Sequence, residues 1–199
     1  MTEDTTTKKK TKPYIDARPV LERLAQFHPQ LFGARFLPLK VGIFNDLLAA
    51  HPDAFTRDEL KSALAMHARS TRYLDAVAAG EKRHDMDGNP VEDIAPEHVH
   101  HAIMEVFRRR QAKSKEDLKP WLMSRLVSAI ERSGLARDEY MERVRAEGDE
   151  ALSAAFSEIG ARAAKRDAVR RAYEGSGRSA AEFAEMYGID PGELEHLLK

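Results

Sequence analysis

The residues best equipped for chemistry lie between Arg69 and His101. In RHDMDGNP (83–90), Asp85 and Asp87 run into Gly88 as the ligands of a calcium loop do. With Gly88 as the turn glycine of such a loop, Arg83 takes the first ligand position and Ile94 the last. Calcium needs an acidic ligand at the first and a bidentate glutamate at the last, so the register fails at both ends. Asp-Gly followed by Asn-Pro is instead turn chemistry, because Asp, Asn and Gly tolerate positive φ and proline is pre-set away from helix. Lys82–Met86 and Val91–Ile94 then read as the arms of a small hairpin that presents Arg83 from a rigid ribbon. His98 and His101 share a helical face at i, i+3, but no third zinc ligand stands at suitable spacing. With no nucleophile and no complete ligand set, the pattern predicts neither catalysis nor a metal or other cofactor.

A second group points to anions. Ser70 and Thr71 open a short helix whose first N–H groups have no internal acceptor, a ready place for a phosphate or a terminal nucleotide. Arg69, Arg72 and Tyr73 are its neighbours in sequence, and the hairpin brings Arg83 within reach. Guanidinium groups suit phosphates, and a tyrosine can stack on an unpaired base. Tyrosine is also often half-buried in a core, and both readings of Tyr73 stay open on these residues alone.

These groups must be positioned by helices. RPVLERLAQF sets Val20, Leu21, Leu24 and Phe27 on one face behind Pro19, and Pro29 ends that helix. PLKVGIFNDLLAA repeats the pattern with Leu39, Ile43, Phe44, Leu47 and Leu48 and stops at His51-Pro52. Thr56 and Glu59 have capping-box spacing ahead of a helix carrying Leu60, Ala63, Leu64 and His67. Ser70 caps TRYLDAV, residues 82–94 lose the helical period, and Pro96 starts a long helix with Val99, Ala102, Ile103 and Val106 inward. The basic run RRRQAKSK at 108–115 can touch phosphate, although basic residues at a helix C-terminus are also expected from the dipole of that helix alone.

Composition narrows the classes. The 199 residues include no cysteine, which removes disulfides, thiolate metal sites and cysteine nucleophiles. The polar start offers no secretory apolar run, and no later stretch approaches the roughly 18 apolar residues of a membrane span, so a cytoplasmic location is expected. Net charge is +2 over residues 1–13, zero over 14–119 and −3 over 120–199. Any nucleic-acid contact must therefore come from a clustered face rather than from bulk charge.

PLKVGIFNDL, LKSALAMHARSTRYLDAV, GEKRHDMDGNPVEDI and the helix starting PEHVHHAI resemble, in order and spacing, the ProQ/FinO domain of bacterial RNA-binding proteins. The resemblance covers about residues 15–115. It implies a compact, mostly helical domain with a small β element. It also implies an RNA chaperone that binds structured RNAs, notably a hairpin base followed by a single-stranded, often U-rich 3′ end as in intrinsic terminators, in regulation by small RNAs. On this resemblance Lys40, Lys61, Arg72, Tyr73 and Arg83 match positions implicated in RNA binding. Arg69, Ser70 and Thr71 rest on the helix-cap argument. The chain departs from the family pattern at Lys61, often arginine in relatives, at Ala65, often basic, and at His67, often tyrosine. Lysine keeps charge without the planar fork and alanine loses the contact, so a weaker or reshaped duplex footprint is expected.

The remaining sequence predicts more helix. KPWLMSRLVSAI spaces Trp121, Leu122, Leu126, Val127 and Ile130 for a buried face. SGLARDEYMERV (133–144) and YGIDPGELEHLL (187–198) then form a weak repeat, two helix-turn-helix-like hairpins separated by a long helix. Glu182, Glu185, Glu193 and Glu195 argue against phosphate binding by the last hairpin, which favours protein contact, self-association or domain packing. The expected architecture is mostly α with a small β-hairpin. It comprises a disordered basic tail (1–13), a ProQ/FinO-like domain (14–117) and a small all-helical domain (118–199). The alternative function is a DNA-binding regulator acting through the C-terminal hairpins.

Overall fold

The computed structural model describes residues 16–145 and 148–198. The tail expected to be disordered lies outside them. The chain divides into two compact units, with the boundary in sequence between Arg109 and Arg110.

In the first unit, α1 (Arg18–Phe27) buries Val20 and Leu24, and Pro29 opens a one-turn helix α2 (Pro29–Phe32) instead of merely ending α1. Helix α3 (Ile43–Ala50) starts only after Gly42, whose φ of 88° is the left-handed conformation that glycine adopts without strain. Leu39 and Lys40, which share the apolar pattern of α3, are therefore not helical. Lys40 N–H donates to the His84 carbonyl at 2.9 Å and His84 N–H to the Pro38 carbonyl at 2.7 Å. This pairing makes 38–40 a parallel neighbour of the hairpin.

Helix α4 (Arg57–Arg69) has the capping box predicted for Thr56 and Glu59. Ser70 both ends α4 and caps α5 (Thr71–Ala78), its Oγ accepting the Tyr73 N–H at 3.2 Å. The hairpin is shorter than its sequence arms: β1 (Arg83–His84) pairs antiparallel with β2 (Pro90–Glu92), with Arg83 opposite Glu92. Pro90 fits because β2 has β1 on one side only, so its missing donor costs no ladder bond. In the turn, Asp85 Oδ1 accepts the Asp87 and Asn89 N–H groups at 3.0 and 2.9 Å, and Gly88 has φ 81°. That is the Asx-turn chemistry the sequence predicts. The turn is also tied to the helices: His28 Nδ1 lies 3.1 Å from the Met86 carbonyl, and its Nε2 lies 2.9 Å from His51 Nε2.

Helix α6 (Pro96–Gln111) closes this unit through buried Val99, Ala102, Ile103 and Val106. Leu24, Leu31, Leu47, Leu60, Ile103 and Val106 are essentially solvent-free, each contributing roughly 1.5–3 kcal/mol on burial.

The second unit is all helical among its described residues. Helix α7 (Lys119–Ser133) and α8 (Arg137–Val144) form one hairpin, α10 (Ala180–Tyr187) and α11 (Pro191–Leu198) another, joined by the 27-residue α9 (Glu150–Ser176). The weak repeat has a structural counterpart. Gly134 and Gly188 end the first helix of each hairpin at φ 63° and 64°, and Tyr140 and Leu194, at equivalent positions, are both buried. Helix α7 packs on α9, burying Leu122, Leu126, Val127 and Ile130 along with Leu152 and Ala155. Phe183, Ala184 and Leu194 form a second small core against Val169 and Tyr173 at the other end of α9.

Candidate nucleic-acid interface

The site is organised around the backbone of Leu39. Its N–H donates to the Tyr73 hydroxyl at 3.1 Å, and its carbonyl accepts from Arg83 Nη1 at 2.9 Å. Helix α5 and strand β1 are thus fastened to the same residue. The Arg83 side chain is only 16% exposed; its Nη2 lies 3.3 Å from His98 Nδ1 and its Nε 3.9 Å from Glu92 Oε1. That Glu92 oxygen also accepts the Val41 N–H at 3.1 Å. Lys40 follows directly, with Nζ 2.9 Å from Asp46 Oδ2. The hydrogen bond to Asp46 and then its charge raise the lysine pKa, so Lys40 is firmly cationic.

A second cluster sits at the α4–α5 junction. Arg109 Nη1 donates to the Arg69 carbonyl at 2.8 Å and to Thr71 Oγ1 at 3.2 Å, while its Nε donates to Glu105 at 2.7 Å. Hydrogen bonds from Arg108 and Arg109 hold the Glu105 carboxyl down to about 2, so this clamp stays ionised at any neutral pH. Arg72 donates to the Ala34 carbonyl and lies 4.4 Å from the centroid of the Phe36 ring. The Arg69 side chain is exposed, with no ion pair among the described residues. Thr71 and Arg72 occupy the first turn of α5, where backbone N–H groups have no intrahelical acceptor.

Ser70 links the two clusters through the Tyr73 N–H, so Lys40, Arg69, Ser70, Thr71, Arg72, Tyr73 and Arg83 belong to one connected framework. Lys61 stands apart, two turns back along α4 or about 12 Å. It borders a shallow depression of about 420 Å³ with Phe44, Arg57, Asp58 and Leu64.

Tyr73 differs from its base-stacking reading. It is 8% exposed, with its ring 5.1 Å from that of His67, so no open face is offered to a base. Tyr73 instead shapes the floor of the site. His67 is enclosed by Phe32, Phe36 and Tyr73, and burial, with a smaller push from the Arg72 charge, lowers its pKa to about 4. It serves there as a neutral aromatic. Arg109 lies in the basic run 108–115, but its role as a clamp is not visible in the sequence, because its bond is to a carbonyl forty residues away.

The model of the ProQ/FINO family matches residues 15–119, just over half of the chain. The chain belongs to the ProQ/FinO family. Its curated relatives include the protein named RNA chaperone ProQ of Shewanella frigidimarina, 36% identical over 109 residues, covering 53% of this chain and 53% of the relative. A second, of the same name from Aeromonas salmonicida, is 34% identical over 118 residues, covering 54% and 56%. The chain spans about half the length of the curated relatives it matches. Among solved structures, a FinO-like RNA chaperone from Neisseria meningitidis is 31% identical, with a TM-score of 0.40 over 43% of this chain and 88% of the other. A ProQ homolog from Legionella pneumophila is 27% identical, with a TM-score of 0.41 over 57% and 98%. The ProQ/FinO match takes in both clusters and Lys61, and nothing in these comparisons supports the DNA-binding alternative. Among the described residues no helix is long and apolar enough to cross a membrane.

Proposed function

We propose that the ProQ/FinO domain of this chain binds structured RNA, gripping the foot of a hairpin and the single-stranded 3′ tail that follows. In this role the protein acts in the cytoplasm as an RNA chaperone for small RNAs and mRNA 3′ ends. The observation that carries the reading is the double hold on Leu39 by Tyr73 and Arg83. It rigidifies a basic, partly desolvated site beside Lys40 and the open first turn of α5. The names of the relatives supply the ligand class.

In this reading, Arg69 and Arg72 supply phosphate-matching guanidinium groups, Arg83 acts by holding the Leu39–Lys40 segment in place, and the first-turn N–H groups of α5 with Ser70 and Thr71 receive a phosphate or the terminal ribose. Lys40 and Lys61 meet the duplex backbone, which in A-form RNA is recognised by shape and by phosphate and 2′-hydroxyl contacts. Tyr73 acts by holding the site's shape. No covalent step is required; chaperoning follows from stabilising one RNA conformation over others.

The test is an equilibrium titration of the full chain with a GC-rich hairpin carrying a 3′ uridine tail, repeated across a salt series. Affinity that falls linearly with salt on logarithmic axes and collapses in Arg83→Ala supports the reading. Binding indifferent to both counts against it.

A further inference from the structure

We infer that α9 carries a second RNA-backbone contact in the all-helical unit, formed by Arg162, Arg166 and Arg170. This inference rests on the RNA-binding reading and adds a site outside the ProQ/FinO match.

Helix α9 is held at its two ends and bare between them. Leu152 and Ala155 are buried at one end, and Val169 and Tyr173 pack on the terminal hairpin at the other. From Gly160 to Ala168 every residue except the half-buried Ala163 is exposed. A stretch exposed all round and built only of Gly, Ala and charged residues is a solvent-exposed bridge rather than a core element. Its charge is largely of one sign: residues 161–171 contain five basic residues and a single acidic one, in a unit whose basic and acidic residues nearly balance overall.

Four-residue spacing places Arg162, Arg166 and Arg170 along one face, about 6 Å apart along the axis. That separation is comparable with the distance between successive phosphates of a strand, and each guanidinium can fork onto one. Arg162 and Arg170 are paired only with their own helix neighbours, Glu158 and Asp167, both at 2.8 Å and half-exposed. Such exposed pairs are weak and exchange readily for phosphate. Arg166 has no partner among the described residues. Lys165 is different, because it bonds Glu193 of α11 at 3.0 Å and so fastens the hairpin.

Among the described residues the only ion pairs of this stripe are thus within α9 itself. The acidic terminal hairpin beside it would repel a strand from the neighbouring surface and confine the contact to the helix.

The test compares the full chain with Arg162→Gln/Arg166→Gln/Arg170→Gln and a charge-matched control, Arg125→Gln/Arg137→Gln/Arg143→Gln on α7 and α8. Glutamine keeps helix propensity, and circular dichroism checks the fold. The probe is the tailed hairpin with an extended duplex, titrated across salt. The expected result is roughly ten-fold weaker binding for the α9 variant, with its salt slope shallower by about two to three, given roughly 0.7–0.9 for each of the lost phosphate contacts. The control should move neither quantity. Unchanged affinity and slope in the α9 variant, or equal loss in the control, overturns the α9 site while leaving the ProQ/FinO site standing. Failure of the unmodified chain to bind the probe overturns both.

Discussion

Tyr73 and Arg83 hold opposite sides of one peptide residue: the tyrosine hydroxyl accepts the N–H of Leu39 and the arginine donates to its carbonyl. The two side chains come from a helix and a strand, so removing either loosens the segment that carries Lys40. Their effects on binding should therefore be coupled rather than additive. In a double-mutant cycle, Tyr73→Phe with Arg83→Ala should weaken RNA binding by less than the product of the single losses.

Arg83→Ala and Tyr73→Ala should each weaken RNA binding by about ten-fold or more, and Lys61→Ala by only about two-fold. The first two disturb a partly desolvated site, and the last removes one exposed backbone contact. Gel-shift titrations at fixed salt check the ranking. Equal losses for all three would argue against a discrete pocket.

His67 makes the fold acid-sensitive. Its folded pKa is about 4, below the ordinary 6.5, because burial penalises the charged ring. Unfolded chains bind the extra proton first, so this contribution is complete above about pH 6.5 and is lost as pH falls towards 4. The full swing is about 3 kcal/mol. His67→Phe should reduce the loss in urea midpoint between pH 7 and 4.5 relative to the unmodified chain. An identical loss would show that carboxylates alone set the acid limb.

Arg109 should behave as a positioning residue. Arg109→Gln removes the bonds to the Arg69 carbonyl and Thr71 and costs about 1–2 kcal/mol of stability. It should also weaken RNA binding several-fold, because the α4–α5 turn that presents Ser70 and Thr71 is no longer clamped. Thermal melts and titrations on the same variant separate the two effects.

Gly134→Ala and Gly188→Ala should cost similar amounts, about 1–2 kcal/mol each. Both sit at φ near 63° with nothing within 4 Å of an added Cβ, so only backbone conformation is penalised. Unequal costs would break the equivalence of the two C-terminal hairpins.

Much of this was legible in the sequence, because the strongest signals are local. The capping box at Thr56, the Ser70 cap, the DG turn and the inward face of α6 each depend on residues within one or two turns of each other. The weak repeat was legible for the same reason, its glycines serving as helix ends. Leu39 was not: its apolar spacing continues that of α3, and only its bridge to His84 shows that it is not helical. Tyr73 divided the two readings that tyrosine allows, and burial against His67 decided its ring. The clamp made by Arg109 was hidden because the Arg69 carbonyl and Thr71 hydroxyl that it bonds lie 40 and 38 residues away, beyond the reach of local side-chain patterns.

The most direct measurement is a gel-shift titration of the full chain at fixed salt with one GC-rich hairpin in three forms: a free 3′ uridine tail, the same tail ending in a 3′ phosphate, and no tail. Binding tightest to the free tail, weaker to the phosphorylated one and weakest without a tail is the expected result. It would establish that the chain reads the free RNA end, as the framework from Arg69 to Arg83 requires. Equal affinity for all three, or tighter binding to duplex DNA of the same sequence, would contradict it.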